Sequence, residues 1–322
     1  MYRQRRYDEC IREVKSKLKK TPDSLHLLNY QAMAYSAVKR DKEALLSYQK
    51  IIKNDPKLAG PYYNMGIILR RNERVEEAIS NYKKAISLKP DYVQAYNNLG
   101  VLYKDNEEYE NAIKMFTKAK ELQPDHQNSY YNLALIKKEQ GLNEEAIELL
   151  LKVIDLNPEH SKASLLLKTT GTDLGIKFHK EGKHKSALKY FKVVNILEPK
   201  GYLGFYNVGN SYLELEDFEN AKVNFEKALT LKPKYEPALG NLAVAYRNLG
   251  KIEKSLRCSN ESIKINPEDP NNYYNKAITL REVERIEDAE ENYRKAIRLD
   301  PKHIKAHLNL ALIYQKRGQI KE

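Results

Sequence analysis

Proline recurs along the chain at a constant spacing of 34 residues. The prolines in this series are Pro22, Pro56, Pro90, Pro124 and Pro158, followed by Pro199, Pro233, Pro267 and Pro301. Only the step from 158 to 199 differs, at 41 residues. Because proline lacks a backbone N–H and disrupts the turn before it, each proline predicts a helix end and a nearby helix start. A period in the range of 20 to 50 residues indicates a repeat architecture rather than the two globular domains that the length alone would favour.

Small and large residues also keep fixed places within this period. We count position 1 as the third residue after each proline, and from 168 in the repeat after the longer step. Position 8 is always Gly or Ala: Ala32, Gly66, Gly100, Ala134, Gly175, Gly209, Ala243, Ala277 and Ala311. Position 20 is Ala except at Ser255, whereas positions 11 and 24 are mostly aromatic or large, with Lys137 and Ser259 as exceptions. Small residues facing large ones predict closely packed helix pairs.

This pattern resembles the tetratricopeptide repeat (TPR), a helix–turn–helix unit of 34 residues. The resemblance covers nearly the whole chain and implies an all-α fold, a right-handed TPR α-solenoid superhelix with a concave groove. We expect a single array over residues 1–322, with a lone second helix at 7–19 and a lone first helix at 304–317. Complete repeats are expected to start at 25, 59, 93, 127, 168, 202, 236 and 270.

The longer step adds seven residues near 161–167. Seven residues make about two helical turns, so they can lengthen a helix without changing the face it presents. Since no Gly or Pro interrupts 159–170, we expect an extended helix near 159–180. A longer surface loop is the other interpretation.

Asparagine recurs at position 6, although its amide competes with the helical backbone. The members of this column are Asn64, Asn98, Asn132, Asn207, Asn241, Asn275 and Asn309. Each offers one acceptor and two N–H donors, and so can hold a peptide group from both ends. The column resembles the TPR region of O-GlcNAc transferases, which implies that an extended peptide backbone is gripped in the groove. Asparagine is also common at this position in TPR units generally, where it is a solvated groove residue.

Two further columns belong to the predicted peptide-binding groove. Position 5 supplies rigid amphipathic rings at Tyr63, Tyr131, Tyr206 and Tyr274. Position 12 supplies cations at Arg70, Lys104, Lys138, Arg247 and Arg281. A basic row beside an amide row favours an acidic partner, although cations near helix C-termini are stabilising in any case.

Composition limits the function classes. The net charge of +12 favours an acidic partner, but the lysines are scattered, which is also typical of a solvated surface. No stretch of 18 apolar residues indicates a membrane span. Two cysteines make no disulfide framework, so a cytoplasmic protein is expected. The chain is rich in Lys, Asn, Ile and Tyr, which is typical of an AT-rich genome such as that of a protist. Membership of a cytoskeletal or ciliary assembly is our hypothesis on that basis.

One repeat departs from the packing pattern. Ser255, Ser259 and Ser262 replace Ala, an aromatic residue and Ala in the second helix of the seventh repeat. Loss of a large core side chain leaves a gap, so we expect this helix to pack poorly.

No motif for catalysis, metal binding or cofactor binding is recognised, and His303 and His307 lack a third ligand. We therefore predict a non-enzymatic scaffold that binds an extended, acidic protein segment, uses no cofactor or small-molecule substrate, and joins a larger assembly. The alternative is the substrate-docking arm of a larger enzyme such as an O-GlcNAc transferase. A nucleic-acid binder is a third hypothesis, against which the lack of a continuous basic stripe argues.

Overall fold

The described part of the chain is entirely helical between its turns. A computed structural model describes residues 2–318, with side chains from residue 6 onward, and there it contains eighteen α-helices and no strand. Residue 1 and residues 319–322 of the predicted array lie outside the described residues. The chain divides into two compact units, with the boundary between Ser164 and Leu165.

Both units are built from consecutive helix pairs. The first unit contains α1 (Tyr2–Leu18), α2 (Leu25–Ala37), α3 (Asp41–Asn54), α4 (Ala59–Arg71), α5 (Val75–Leu88), α6 (Val93–Asp105), α7 (Tyr109–Leu122), α8 (Gln127–Glu139) and α9 (Asn143–Leu156). The unit boundary falls within α10 (Ser161–Lys180). The second unit continues with α11 (His184–Leu197), α12 (Tyr202–Glu214), α13 (Phe218–Leu231), α14 (Glu236–Asn248), α15 (Ile252–Ile265), α16 (Pro270–Glu282), α17 (Ile286–Leu299) and α18 (Ile304–Lys316). Consecutive helices pack against one another from α1 to α9 and again from α11 to α18, which confirms the predicted TPR α-solenoid fold class.

Backbone geometry explains where the helices stop. The residue before a proline of the 34-residue series is pushed out of the helical region, as at Asp55 (φ −141°, ψ 97°) and Lys89 (φ −135°, ψ 90°). The turn between the two helices of a repeat needs a left-handed residue. Glycine supplies it at Gly141 (φ 75°), whereas Glu107 adopts it at φ 62°.

Helix α10 is the longest helix of the described residues. It has 20 residues, whereas the first helices of the other repeats have 13 and the second helices have 14. The seven extra residues of the chain therefore lie in a region that is continuous helix rather than loop.

Where position 8 is glycine, the core of the repeat contains a close contact between position 8 and position 24. A Cβ atom at Gly100 would lie only 2.7 Å from Cε1 of Phe116, and one at Gly209 would lie 2.6 Å from Cε1 of Phe225. Both phenylalanines are fully buried. The absence of a side chain on one helix therefore makes the room in which the ring of the other is buried.

The second helix of the seventh repeat has a polar side chain at each of the three positions. Ser255, Ser259 and Ser262 are all buried. Polar contacts take the place of apolar ones: Ser255 Oγ lies 3.1 Å from Thr279 Oγ1, and Ser262 Oγ donates to Asn272 Oδ1 at 2.7 Å. Buried hydroxyls that find partners are tolerated in a core.

Ser259 is the member of this set without a partner. Its Oγ is buried and forms no hydrogen bond with a described residue. Because a buried, unsatisfied hydroxyl costs about 1–3 kcal/mol, we expect Ser259→Ala to raise the free energy of unfolding by about 1 kcal/mol. Urea denaturation followed by circular dichroism measures this. The matched Ser262→Ala variant removes a hydroxyl whose single proton is donated to Asn272 Oδ1 or Glu236 Oε1. It is expected to be destabilised, and the reverse order of the two variants would contradict this explanation.

Candidate peptide-binding surface

The residues of the predicted groove all lie on first helices of repeats and are all half-buried. The first unit carries Tyr63, Asn64, Arg70, Asn98, Lys104, Tyr131, Asn132 and Lys138 on α4, α6 and α8. The second unit carries Tyr206, Asn207, Asn241, Arg247, Tyr274, Asn275, Arg281 and Asn309 on α12, α14, α16 and α18. We call the seven asparagines of this set the position-6 row.

In the first unit, the position-6 row links consecutive repeats. Asn98 Nδ2 donates to the Tyr63 hydroxyl at 3.2 Å, and Asn132 Nδ2 donates to Asn97 Oδ1 at 3.2 Å. In both cases the acceptor belongs to position 5 of the preceding repeat. Asn64 contacts the Tyr48 hydroxyl, and burial raises the pKa of that hydroxyl to about 12, a shift that this hydrogen bond opposes. These amides therefore contribute to the joints between repeats.

In the second unit, the same row makes similar links. Asn241 Nδ2 donates to Asn210 Oδ1 at 2.7 Å, and Asn309 Nδ2 lies 3.5 Å from the Tyr274 hydroxyl. Arg281 donates from Nη1 to Asn309 Oδ1. Asn309 is thus already engaged through both ends of its amide.

The amide oxygens of three of these asparagines accept no hydrogen bond from the described residues, and they determine what the amides can bind. Asn98, Asn132 and Asn241 use their amide nitrogens, and none of their Oδ1 atoms accepts a hydrogen bond from the described residues. The Asn98 amide also contacts the Tyr82 hydroxyl, and this hydrogen bond opposes the upward shift that burial gives the Tyr82 pKa. Each of the three amides therefore retains an acceptor with two lone pairs, to which a peptide N–H can donate. These three acceptors remain available while the inter-repeat hydrogen bonds of the same amides are kept.

The position-5 tyrosines are held by neighbouring rings. Tyr63 lies 4.8 Å from the ring of Tyr92, and Tyr274 lies 4.8 Å from the ring of His303. Burial raises the pKa of Tyr63, and the hydrogen bond from Asn98 opposes that shift. These rings are pre-ordered, so little side-chain entropy is lost when they contact a ligand.

The position-12 cations are largely paired with carboxylates. Arg70 Nη2 lies 3.1 Å from Asp105, and Lys104 Nζ lies 2.9 Å from the same carboxylate. Arg247 lies 3.3 Å from Glu282. Lys138 and Arg281 form no ion pair with a described residue. Arg281 donates to Asn309 Oδ1, whereas Lys138 has no such hydrogen bond from its ammonium group to a described residue.

Sequence reasoning missed the residues that complete these contacts. Asn97 and Asn210 accept from the position-6 row, and Asp105 and Glu282 neutralise position-12 cations. The signal was present in the spacing, because Asp105 and Glu282 each follow their cation by one repeat plus one residue. Acidic residues at position 13 therefore predict partial neutralisation of the basic row.

Residues 2–318 offer neither a metal centre nor a membrane-spanning helix. No group of three or more His, Cys, Asp or Glu side chains in that range is arranged to hold a metal ion. None of the helices described there is both long enough and apolar enough to cross a bilayer.

Sequence models of this repeat match much of the chain. Models described as "TPR repeat" match residues 68–107 and 279–318. Models described as "Tetratricopeptide repeat" match residues 93–126 and 202–235, residues 127–160 and 236–269, and residues 47–80. No curated protein matches the chain.

The chain is also similar to several solved structures. The crystal structure of MamA is 26% identical over 48% of this chain and 91% of that one, with a TM-score of 0.45. The structure of YrrB, described as a TPR protein with an unusual peptide-binding site, is 28% identical over 60% of this chain and 95% of that one, with a TM-score of 0.40. The APC/C hetero-tetramer Cut9-Hcn1 is 18% identical over 92% of this chain and 57% of that one, with a TM-score of 0.43.

Proposed function

We propose that this chain, which belongs to the tetratricopeptide-repeat family, is a non-catalytic scaffold that binds an extended segment of a protein partner along its first helices. The observation that carries the proposal is the state of the position-6 row. Asn98, Asn132 and Asn241 each keep a carbonyl oxygen that accepts no hydrogen bond from the described residues, while their amide nitrogens donate to neighbouring repeats. Fixed acceptors reduce the entropy lost on binding.

The partner is expected to be extended because an extended strand leaves its backbone N–H and C=O groups unpaired. A helix satisfies these groups internally and would offer few of them to the row. Recognition through the backbone tolerates many side chains, and the position-5 tyrosines supply apolar contact beside it. Specificity then comes from the few places where the surface carries charge or an apolar side chain.

An acidic partner is supported by the net charge of +12 and by Lys138, which has no carboxylate partner among the described residues. Because Asp105 pairs with Arg70 and Glu282 pairs with Arg247, the preference for acidic side chains of the partner is limited to a few places on the surface. We therefore place an acidic side chain of the partner near Lys138 rather than beside every position-12 cation.

Participation in a larger assembly is supported by an apolar stripe on α18. Ile304, Leu308 and Leu312 are 72%, 60% and 51% exposed, and they follow one another at intervals of four residues. Residues four apart lie on one helix face. A contiguous exposed apolar face is typical of an interaction surface.

A substrate-docking arm of a larger enzyme such as an O-GlcNAc transferase is the second candidate. The asparagine row favours it, since both functions need an extended segment held by its backbone. A catalytic domain encoded in the same reading frame would favour this second function over a non-catalytic scaffold.

We expect the double variant Asn98→Ala, Asn132→Ala to bind peptides at least about tenfold more weakly than the wild type. Each lost amide contact costs about 1–3 kcal/mol when it is buried, and about 1.4 kcal/mol corresponds to a factor of ten in affinity. The measurement is a selection from a displayed library of unstructured peptides on the wild-type chain, followed by titration of the best peptide against both proteins.

The matched control replaces the exposed residues Asn111 and Asn128 of the same unit by alanine. This control is expected to bind like the wild type. Thermal unfolding of all three proteins separates lost binding from lost folding. Equal affinity of the wild type and the Asn98, Asn132 variant would contradict the proposal.

A further inference from the structure

Position 11 normally holds a large side chain, and in several repeats a cation lies against it. The cation is supplied by the residue twenty positions earlier in the sequence. Lys15 Nζ lies 5.7 Å from the ring centroid of Tyr35, Lys83 Nζ lies 5.8 Å from that of Tyr103, Lys192 Nζ lies 5.1 Å from that of Tyr212, and Arg294 Cζ lies 5.9 Å from that of Tyr314. A cation over an aromatic face is attracted by the ring quadrupole.

The fourth repeat lacks this arrangement. Lys137 stands where the other repeats have a large apolar or aromatic side chain, and Thr117 stands twenty positions before it. A pocket of about 360 Å³ opens at this place between α7, α8 and α9. Its apolar walls are Ile113, Leu133 and Leu149. The pocket thus corresponds to the volume that a ring occupies in neighbouring repeats.

Ammonium groups surround the pocket. Lys120, Lys137 and Lys152 all line it. Lys137 pairs with Glu145 at 2.8 Å, and Lys152 pairs with Asp155 at 2.8 Å. Lys120 Nζ lies 5.7 Å from the ring of Tyr130 and forms no ion pair with a described residue. An incoming ring would meet apolar walls together with these ammonium groups and the carboxylates of Glu145 and Glu148. The ammonium groups supply the kind of cation that lies against the position-11 tyrosines of other repeats.

We propose that this pocket, formed by Ile113, Leu133 and Leu149 beneath Lys137, binds a Tyr or Phe side chain of a protein partner. The ring completes the position-11 packing that the fourth repeat lacks. This site shares no residue with the position-6 row, so it is independent of the proposed peptide-binding function. It gives the scaffold an anchoring point for an aromatic residue on a second surface.

The test is methyl NMR of the isotope-labelled full chain, with the tripeptide Ac-Gly-Tyr-Gly-NH2 as the probe and Ac-Gly-Leu-Gly-NH2 for comparison. We expect saturable shifts of the methyl groups of Ile113, Leu133 and Leu149. The leucine peptide is expected to bind about tenfold more weakly, because it lacks the cation–π attraction to the surrounding lysines. Lys137→Tyr fills the pocket from within and is expected to abolish the shifts.

The control is Lys114→Tyr, which adds the same side chain at an exposed position of α7 and is expected to leave the shifts unchanged. Thr117→Phe fills the pocket from another wall and replaces Lys137→Tyr if that variant does not fold. Saturable shifts confined to the pocket and lost in a filled variant support the proposal. No shifts, shifts elsewhere only, or equal shifts in the filled variant overturn it.

Discussion

Replacing Phe116 by alanine is expected to lower the free energy of unfolding by about 3–5 kcal/mol. The ring is fully buried, and the residue that it packs against, Gly100, has no side chain that could move into the gap. The helices on either side are fixed by further contacts and cannot collapse completely into the space. The cost therefore includes both the lost apolar burial and the cavity that is left.

Repeat proteins open locally, so the measurement must report on the repeat concerned. Hydrogen exchange of the amides of α6 and α7 is expected to accelerate strongly in Phe116→Ala, together with a lower urea midpoint. The control is Lys114→Ala, an exposed residue of the same helix, for which neither quantity should change appreciably. Unchanged protection of α6 and α7 in the Phe116 variant would contradict the packing described here.

The effect of Gly100→Leu on the free energy of unfolding is expected to change sign according to which residue occupies position 116. In the wild type it should destabilise by about 1–3 kcal/mol, because a Cβ would lie 2.7 Å from the Phe116 ring and the ring would have to move. In the Phe116→Ala background the same leucine enters the cavity and should stabilise. A double-mutant cycle measures the difference as a coupling energy, expected to be about 2 kcal/mol.

Helix propensity must be separated from this effect, since replacing glycine in a helix is favourable by up to about 1 kcal/mol. Propensity is the same in both backgrounds and cancels in the cycle. Gly60→Leu provides the control for the background, because a Cβ at Gly60 meets no atom within 4 Å and the restriction imposed by Pro61 is the same in both backgrounds. Its effect on the free energy of unfolding should be the same in the wild type and in the Phe116→Ala background. If Gly100→Leu also behaves identically in both backgrounds, positions 8 and 24 are not the packing pair that we describe.

The fold class could be predicted because its determinants are local and periodic. Proline fixes φ and disfavours the helical region in the residue before it, and glycine or alanine at position 8 permits close helix approach. Both effects depend on residue type and spacing, which the sequence displays directly. Gly100 and Phe116 are an example: one lies in the first helix and the other in the second, sixteen residues apart.

Side-chain partners were harder to predict because they depend on the residue that meets each group across a repeat joint. Asn98 donates to a tyrosine, whereas Asn132, in the same column, donates to an asparagine. The hydrogen bonds of Ser255 and Ser262 were hard to predict for the same reason. From the sequence, a serine in place of alanine predicts a packing loss, but side chains on α16 supply hydrogen bonds to both serines.

We propose above that an extended partner lies along the first helices, in contact with members of the position-6 row and their neighbouring tyrosines. The most direct measurement is photo-crosslinking with p-benzoylphenylalanine in place of Tyr131, using the best peptide from the display selection. Leu46, an exposed residue of α3, carries the same crosslinker in the control protein. We expect a peptide adduct at residue 131 and none at residue 46. An adduct at residue 46 without one at residue 131 would show that the partner binds elsewhere and would contradict the claim.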